Sequence, residues 1–257
     1  MRIPVKKLPV VIIGIAMTGI ATWAALIERR RRAGGARLAS TLHLNARWWN
    51  EQHSKSGEML YVAIGDSAAQ GVGASRPGRG YVGMIAAYLR ERNGGTVRVV
   101  NLSVSGARLR EAIASQLPAL VRLEPDILTV AIGANDIADF DPERFERELT
   151  TLFDALPSHA IVSEVPAFYV GTAEKRARAA NAIVHRLADA RGFDVAPLHR
   201  STHSQGGARY ALNQVAADFF HPNDRGYRVW ASAFLPLLDR RLLLLSMRSS
   251  DTGSTAQ

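Results

Sequence analysis

The chain has 257 residues, 47% apolar and 21% charged side chains, no cysteine and a formal charge of +9. That is room for one medium-sized domain with appendages, and a composition ordinary for a packed core. Without cysteine there are no disulfides, thiolate metal sites or cysteine nucleophiles.

The charge resembles a nucleic-acid signal until its distribution is read. Residues 1–40 hold Arg2, Lys6, Lys7, Arg29, Arg30, Arg31, Arg32 and Arg37 against Glu28 alone, a net +7, so only +2 belongs to everything after. A nucleic-acid-binding domain concentrates basic residues on its folded part. Here they flank an uncharged run, Leu8–Ile27 (LPVVIIGIAMTGIATWAALI). About 20 residues at 1.5 Å rise cover a hydrocarbon core of roughly 30 Å. Residues 1–27 are therefore expected to form an N-terminal transmembrane anchor, with no nucleic-acid partner. Glu28 and four arginines follow the run, a poor context for signal cleavage. The arginines suit lipid head groups. Counting basic residues leans towards a cytoplasmic catalytic domain, a single-pass topology that Arg2, Lys6 and Lys7 oppose.

Residues 28–57 read as a basic connector, helical around Leu38 to Trp49. Short apolar runs follow at 59–65 (MLYVAIG), 96–102 (TVRVVNL), 126–133 (DILTVAIG), 160–165 (AIVSEV) and 193–198 (FDVAPL). Between them lie helical patterns near 80–92, 107–117, 142–155 and 173–191, and a last helix is expected at about 222–238. Strand-like runs alternating with helix-length segments predict βαβ units and a parallel five-stranded sheet covered on both faces. The folded domain is placed at 58–245. The polar tail 246–257 (SMRSSDTGSTAQ) is expected to be disordered.

Chemistry-bearing residues collect where strands end. Gly65-Asp66-Ser67 follows the first strand, Ser105-Gly106 the second, Gly133-Ala134-Asn135-Asp136 the third, and Asp218-Phe219-Phe220-His221 lies beyond the fifth. In open parallel sheets, ligands bind at the carboxyl ends of strands. A serine hydroxyl needs a base, commonly histidine, and the histidine needs a carboxylate to fix its tautomer. Asp218 and His221 are spaced to meet in one turn. The amides of Ser67 and Gly106 and the Asn135 side chain are candidate donors to a developing oxyanion. His203 is the understudy base. Asp136 is the understudy acid, with a cap or brace as its plainer role.

The blocks YVAIGDSAAQG (61–71), VVNLSVSGAR (99–108), IGANDI (132–137) and DFFHPND (218–224) resemble those of the SGNH hydrolases, also called GDSL esterases and lipases. The resemblance spans about residues 59–238. It implies a flavodoxin-like three-layer α/β/α sandwich and a metal- and cofactor-independent ester hydrolase acting through an acyl-enzyme. It also implies Ser67 as nucleophile, Asp218 and His221 as its charge pair, and an oxyanion hole from Ser67, Gly106 and Asn135. Ala68 departs from the leucine of the GDSL name, which bears on subgroup rather than chemistry. Ala69 breaks the G-x-S-x-G elbow of the other common serine-hydrolase fold.

Each block has a plainer reading alone: a strand-to-turn junction, an Asx cap, a helix-terminus pair. Four in order at four strand ends favour catalysis. The alternatives are an acyltransferase using the same acyl-enzyme and a non-catalytic module binding acylated lipid or glycan. The expected substrate is a small-molecule, lipid or glycan ester. Tyr81, Phe168, Tyr169, Phe219 and Phe220 are candidates for an acyl pocket. The glycine-rich stretch 71–80 is read as a loop bordering that pocket, with Arg76 and Arg79 towards an anionic substrate.

Overall fold

The structure is a computed structural model that describes residues 28–254, so the anchor expected at Leu8–Ile27 lies outside the described residues. No helix among the described residues is long and apolar enough to cross a membrane.

Five strands, β1 (Met59–Gly65), β2 (Val97–Asn101), β3 (Ile127–Ala131), β4 (Ile161–Ser163) and β5 (Asp194–Ala196), form one sheet in the order β2-β1-β3-β4-β5. All pairings are parallel, with Tyr61 level with both Val99 and Ile127. The order reverses at β1, between β2 and β3, which makes that edge the switch point where such sheets bind ligands.

Side-chain alternation makes the three layers. Val62 and Ile64 of β1 face one way, with Val100, Leu128, Val130 and Val162, onto the helical stretch α4 (109–120) and helices α5 (Pro142–Asp154) and α6 (Gly171–Asp189). Tyr61 and Ala63 face the other way, with Val99, Ile127 and Ile161, onto helices α3 (Tyr81–Asn93) and α7 (Asp224–Ser254). Fully burying one such side chain stabilises the fold by roughly 1.5–3 kcal/mol, so both faces must be covered. Local signals set the helix ends. Asp141 accepts from the Arg144 amide ahead of Pro142, and Gly94 at φ 64° ends α3.

Residues 28–39 and Leu42–His53 form two helices, α1 and α2, that pack on the domain. Trp49 is buried and donates to the Gln70 carbonyl beside Asn45. Gly34 of α1 lies against Ala217 and Asp218. A β-carbon there would stand 2.1 Å from the Ala217 oxygen, so only glycine permits this approach.

The C-terminal helix corrects the sequence reading. It continues unbroken to Ser254, past the expected end near 238 and into the tail 246–257 expected to be disordered, whose last three residues lie outside the described ones. Leu242 and Leu245 pack against the core and carry the helix beyond its amphipathic start.

Candidate active site

At the end of β1 the chain turns sharply. The Asp66 carboxylate accepts from the Ala68 amide at 2.9 Å, closing the turn with Ser67 at its crest. The buried Gln116 side chain clamps Gly65 from both sides, accepting from its amide at 3.0 Å and donating to its carbonyl at 2.8 Å. Ser67 is thereby held on a braced strand end.

The arm carrying the histidine is built separately. Val215 pairs with Pro222, and the Ala216 amide donates to the His221 carbonyl at 2.8 Å. Within this loop Asp218 Oδ1 accepts from the amides of Phe220 and His221, both at 3.1 Å. That leaves Oδ2 to accept from His221 Nδ1 at 2.6 Å, and His221 Nε2 then stands 2.7 Å from Ser67 Oγ. Ser67 and His221 are 154 residues apart in sequence. Burial alone would raise the Asp218 carboxyl. The hydrogen bonds from the His221 ring and the two amides outweigh it and hold the group below its ordinary value.

The arms meet because the glycine-rich loop lets them. Gly73 adopts φ 94° and lies against Pro222 and His221. Stretch 71–80 is thus a packing surface for the histidine arm. Arg76 and Arg79 are exposed and lie outside the cleft lining, contrary to the sequence expectation.

The third block braces the rim. Asn135 Nδ2 donates to Asp66 Oδ2 at 3.2 Å and to the Ala107 carbonyl at 2.9 Å, so both its hydrogens are engaged. Gly106, one residue before Ala107, sits on an exposed turn at φ 81° and is not among the cleft-lining residues. Among the described residues, neither the Ser67 nor the Gly106 amide donates to a protein acceptor. Asp136 takes its plainer role, accepting from the Leu109 amide at 3.2 Å. Burial pushes both carboxyls up, Asp66 to about 6 and Asp136 to about 6. His203 stacks on Tyr169 and His199 instead of meeting Ser67.

A cleft of about 160 Å³ opens over Ser67 and His221. Phe168, Tyr169, Phe219 and Phe220 line it as expected, but Tyr81 does not: it is wholly buried and stacks on Phe234. Five lining residues were not foreseen, Pro166, Ala167, Thr202, Tyr210 and Trp230. Nor was Glu174, whose carboxylate accepts from the amides of Phe168 and Tyr169 and so holds Tyr169 at φ 68° on the wall. Burial would raise Glu174, but its bonds from Arg178, the Phe168 amide and His199 keep it lowered. Its place in the first turn of α6 was the available signal. Gln116 carried none. Among the described residues no group of three or more His, Cys, Asp or Glu is arranged to hold a metal ion.

A family model described as the GDSL-like Lipase/Acylhydrolase family matches residues 63–229. Among solved structures, the chain is similar to LAE5, an alpha/beta hydrolase enzyme from the metagenome of Lake Arreo, Spain. The identity is 25% over 72% of this chain and 97% of that one, with a TM-score of 0.60. It is also similar to TesA, at 20% identity over 71% and 99% of the two chains and a TM-score of 0.60. Axe2, an acetylxylan esterase from Geobacillus stearothermophilus, follows at 20% identity over 71% and 94%, with a TM-score of 0.56. No curated protein matched the chain by sequence.

Proposed function

The chain belongs to the GDSL-like lipase/acylhydrolase family, and from that membership we propose a serine ester hydrolase in which Ser67, His221 and Asp218 act as a triad. The observation that carries this reading is the 2.7 Å approach of Ser67 Oγ to His221 Nε2, with Asp218 at 2.6 Å on the far side of the ring.

His221 Nε2 takes the Ser67 proton as Oγ attacks the acyl carbon. The imidazolium, oriented and balanced by Asp218, returns that proton to the leaving alkoxide as the ester bond breaks. Water then adds to the acyl-enzyme with His221 as base, and the acid leaves as Ser67 recovers its proton. The oxyanion of each tetrahedral intermediate accepts from the amides of Ser67 and Gly106. The Asn135 amide joins them by exchanging one of its two present partners, Asp66 or Ala107.

Attachment to a membrane through Leu8–Ile27 is part of the same proposal; its support is the length and flanking charge of that run. The same counting rule leans towards a cytoplasmic catalytic domain, with Arg2, Lys6 and Lys7 counting against it.

The test is Ser67→Ala. It removes p-nitrophenyl acetate hydrolysis and labelling by a fluorophosphonate probe while the circular dichroism spectrum stays that of the parent. Full activity in the variant discards the assignment.

A further inference from the structure

The surface around the cleft mouth has a character of its own. Four of the ten exposed large apolar side chains among the described residues lie on the cleft lining or within two residues of it: Val170, Leu212, Phe219 and Phe220. Phe219 and Phe220 line the cleft yet are 47% and 51% exposed. Val170 follows Tyr169, and Leu212 stands two residues after Tyr210. Both are more than three-quarters exposed, at 77% and 81%. Single exposed apolar residues are ordinary; a set around one opening is an interaction surface.

The outward aim of the aromatic pair is built in. Phe219 holds φ 56°, a left-handed conformation unusual for an aromatic residue, with its amide on the Ala216 carbonyl. The Tyr210 hydroxyl donates to the Phe220 carbonyl at 2.9 Å.

Cations border this apolar rim. A second cleft of about 470 Å³ is lined by Arg209, Arg225 and Arg228. The segment 209–214 supplies Tyr210 to the catalytic cleft and Arg209, Asn213 and Gln214 to the second one, so the two are neighbours. None of the three arginines forms an ion pair among the described residues. Helix α1 packs through Gly34 onto Ala217 and Asp218, directly before Phe219. That helix carries Arg29 and Arg30, and in sequence it follows immediately on the apolar run Leu8–Ile27.

We propose that the mouth of the catalytic cleft docks on an anionic lipid bilayer, the exposed apolar side chains entering the interface and the arginines meeting lipid phosphates, and that the substrate is a bilayer-resident acyl ester. Planar guanidinium groups pair with phosphate oxygens bidentately, which fits unneutralised arginines beside an apolar rim. An acyl chain passing from bilayer to aromatic cleft avoids crossing water. This inference rests on the serine-hydrolase reading above.

The experiment places the full chain in phosphatidylcholine vesicles with or without about 30% phosphatidylglycerol. Membrane-borne 4-methylumbelliferyl palmitate and water-soluble p-nitrophenyl acetate are compared. Phosphatidylglycerol raises palmitate turnover about tenfold and leaves acetate turnover unchanged. Two variants, Val170→Ser with Leu212→Ser, and Arg209→Gln with Arg225→Gln and Arg228→Gln, each reverse that gain and keep acetate hydrolysis. Serine at 170 also suits the helix N-cap it occupies, so the fold is retained. Palmitate turnover indifferent to phosphatidylglycerol and to both variants, with acetate still cleaved, overturns the docking alone. Loss of both activities in the parent protein overturns the catalytic reading as well.

Discussion

Gly73 lies so close to His221 that a β-carbon built on it would stand 2.9 Å from the histidine's own Cβ, and 2.5 Å from the Pro222 oxygen. Its φ of 94° is one that L side chains rarely adopt. The loop after the serine and the loop before the last helix therefore meet backbone to backbone. Gly73→Ala must push the histidine arm away from Ser67. Since a displacement of about 1 Å can cost roughly 10²-fold in rate, kcat for p-nitrophenyl acetate is expected to fall by about that factor. A variant with parental kcat would show that the arm has slack.

Asp218 sets the histidine's tautomer, and an amide in its place reverses the donor at Nδ1. Asp218→Asn is expected to lower kcat by about 10³–10⁴-fold with KM little changed. The carboxyl is also held below its ordinary value in the folded protein. Its stabilising contribution is therefore present above the unfolded carboxyl range and lost as the pH falls through the folded value. Urea unfolding of the parent and Asp218→Asn should converge in acid and separate towards neutrality. A gap independent of pH would contradict this.

Asp66 behaves with the opposite sign. Burial raises it from 3.8 to about 6, so the folded protein holds this proton more tightly than the unfolded chain does. Stability from this group is highest below the unfolded value and declines as the pH rises from about 4 to about 6, by roughly 3 kcal/mol in all. Asp136, also raised to about 6, adds the same trend and is unaffected by a change at Asp66. Asp66→Asn should therefore gain on the parent between pH 4 and pH 7, measured as the difference of unfolding free energies. A constant difference would mean that Asp66 ionises normally.

Gln116 satisfies both backbone groups of Gly65 from inside the core. Gln116→Leu leaves the buried Gly65 N–H without its partner and its C=O with the Val104 amide alone, at a cost of roughly 1–3 kcal/mol. Because Gly65 precedes Asp66 and Ser67, turnover should fall along with the melting temperature. A melting temperature equal to the parent's would mean that other groups replace the clamp.

The elements and the four motif blocks were legible in the sequence because their signals are local. Strand runs buried on both faces read as continuous apolar stretches, and a parallel sheet places their carboxyl ends on one edge. Asp218 and His221 were readable as a pair because only two residues separate them. Tertiary structure alone decided what those local signals face. It put Tyr81 in the core and Tyr210 and Trp230 on the cleft, engaged both hydrogens of Asn135, left Arg76 and Arg79 outside, and carried the last helix to Ser254. It also seated α1 on the histidine arm through Gly34. The physical reason is that periodicity reports which face of an element is buried, whereas contacts across more than a hundred residues depend on loop conformations. Those conformations turn on single residues, such as Gly73 and Phe219 with their positive φ angles.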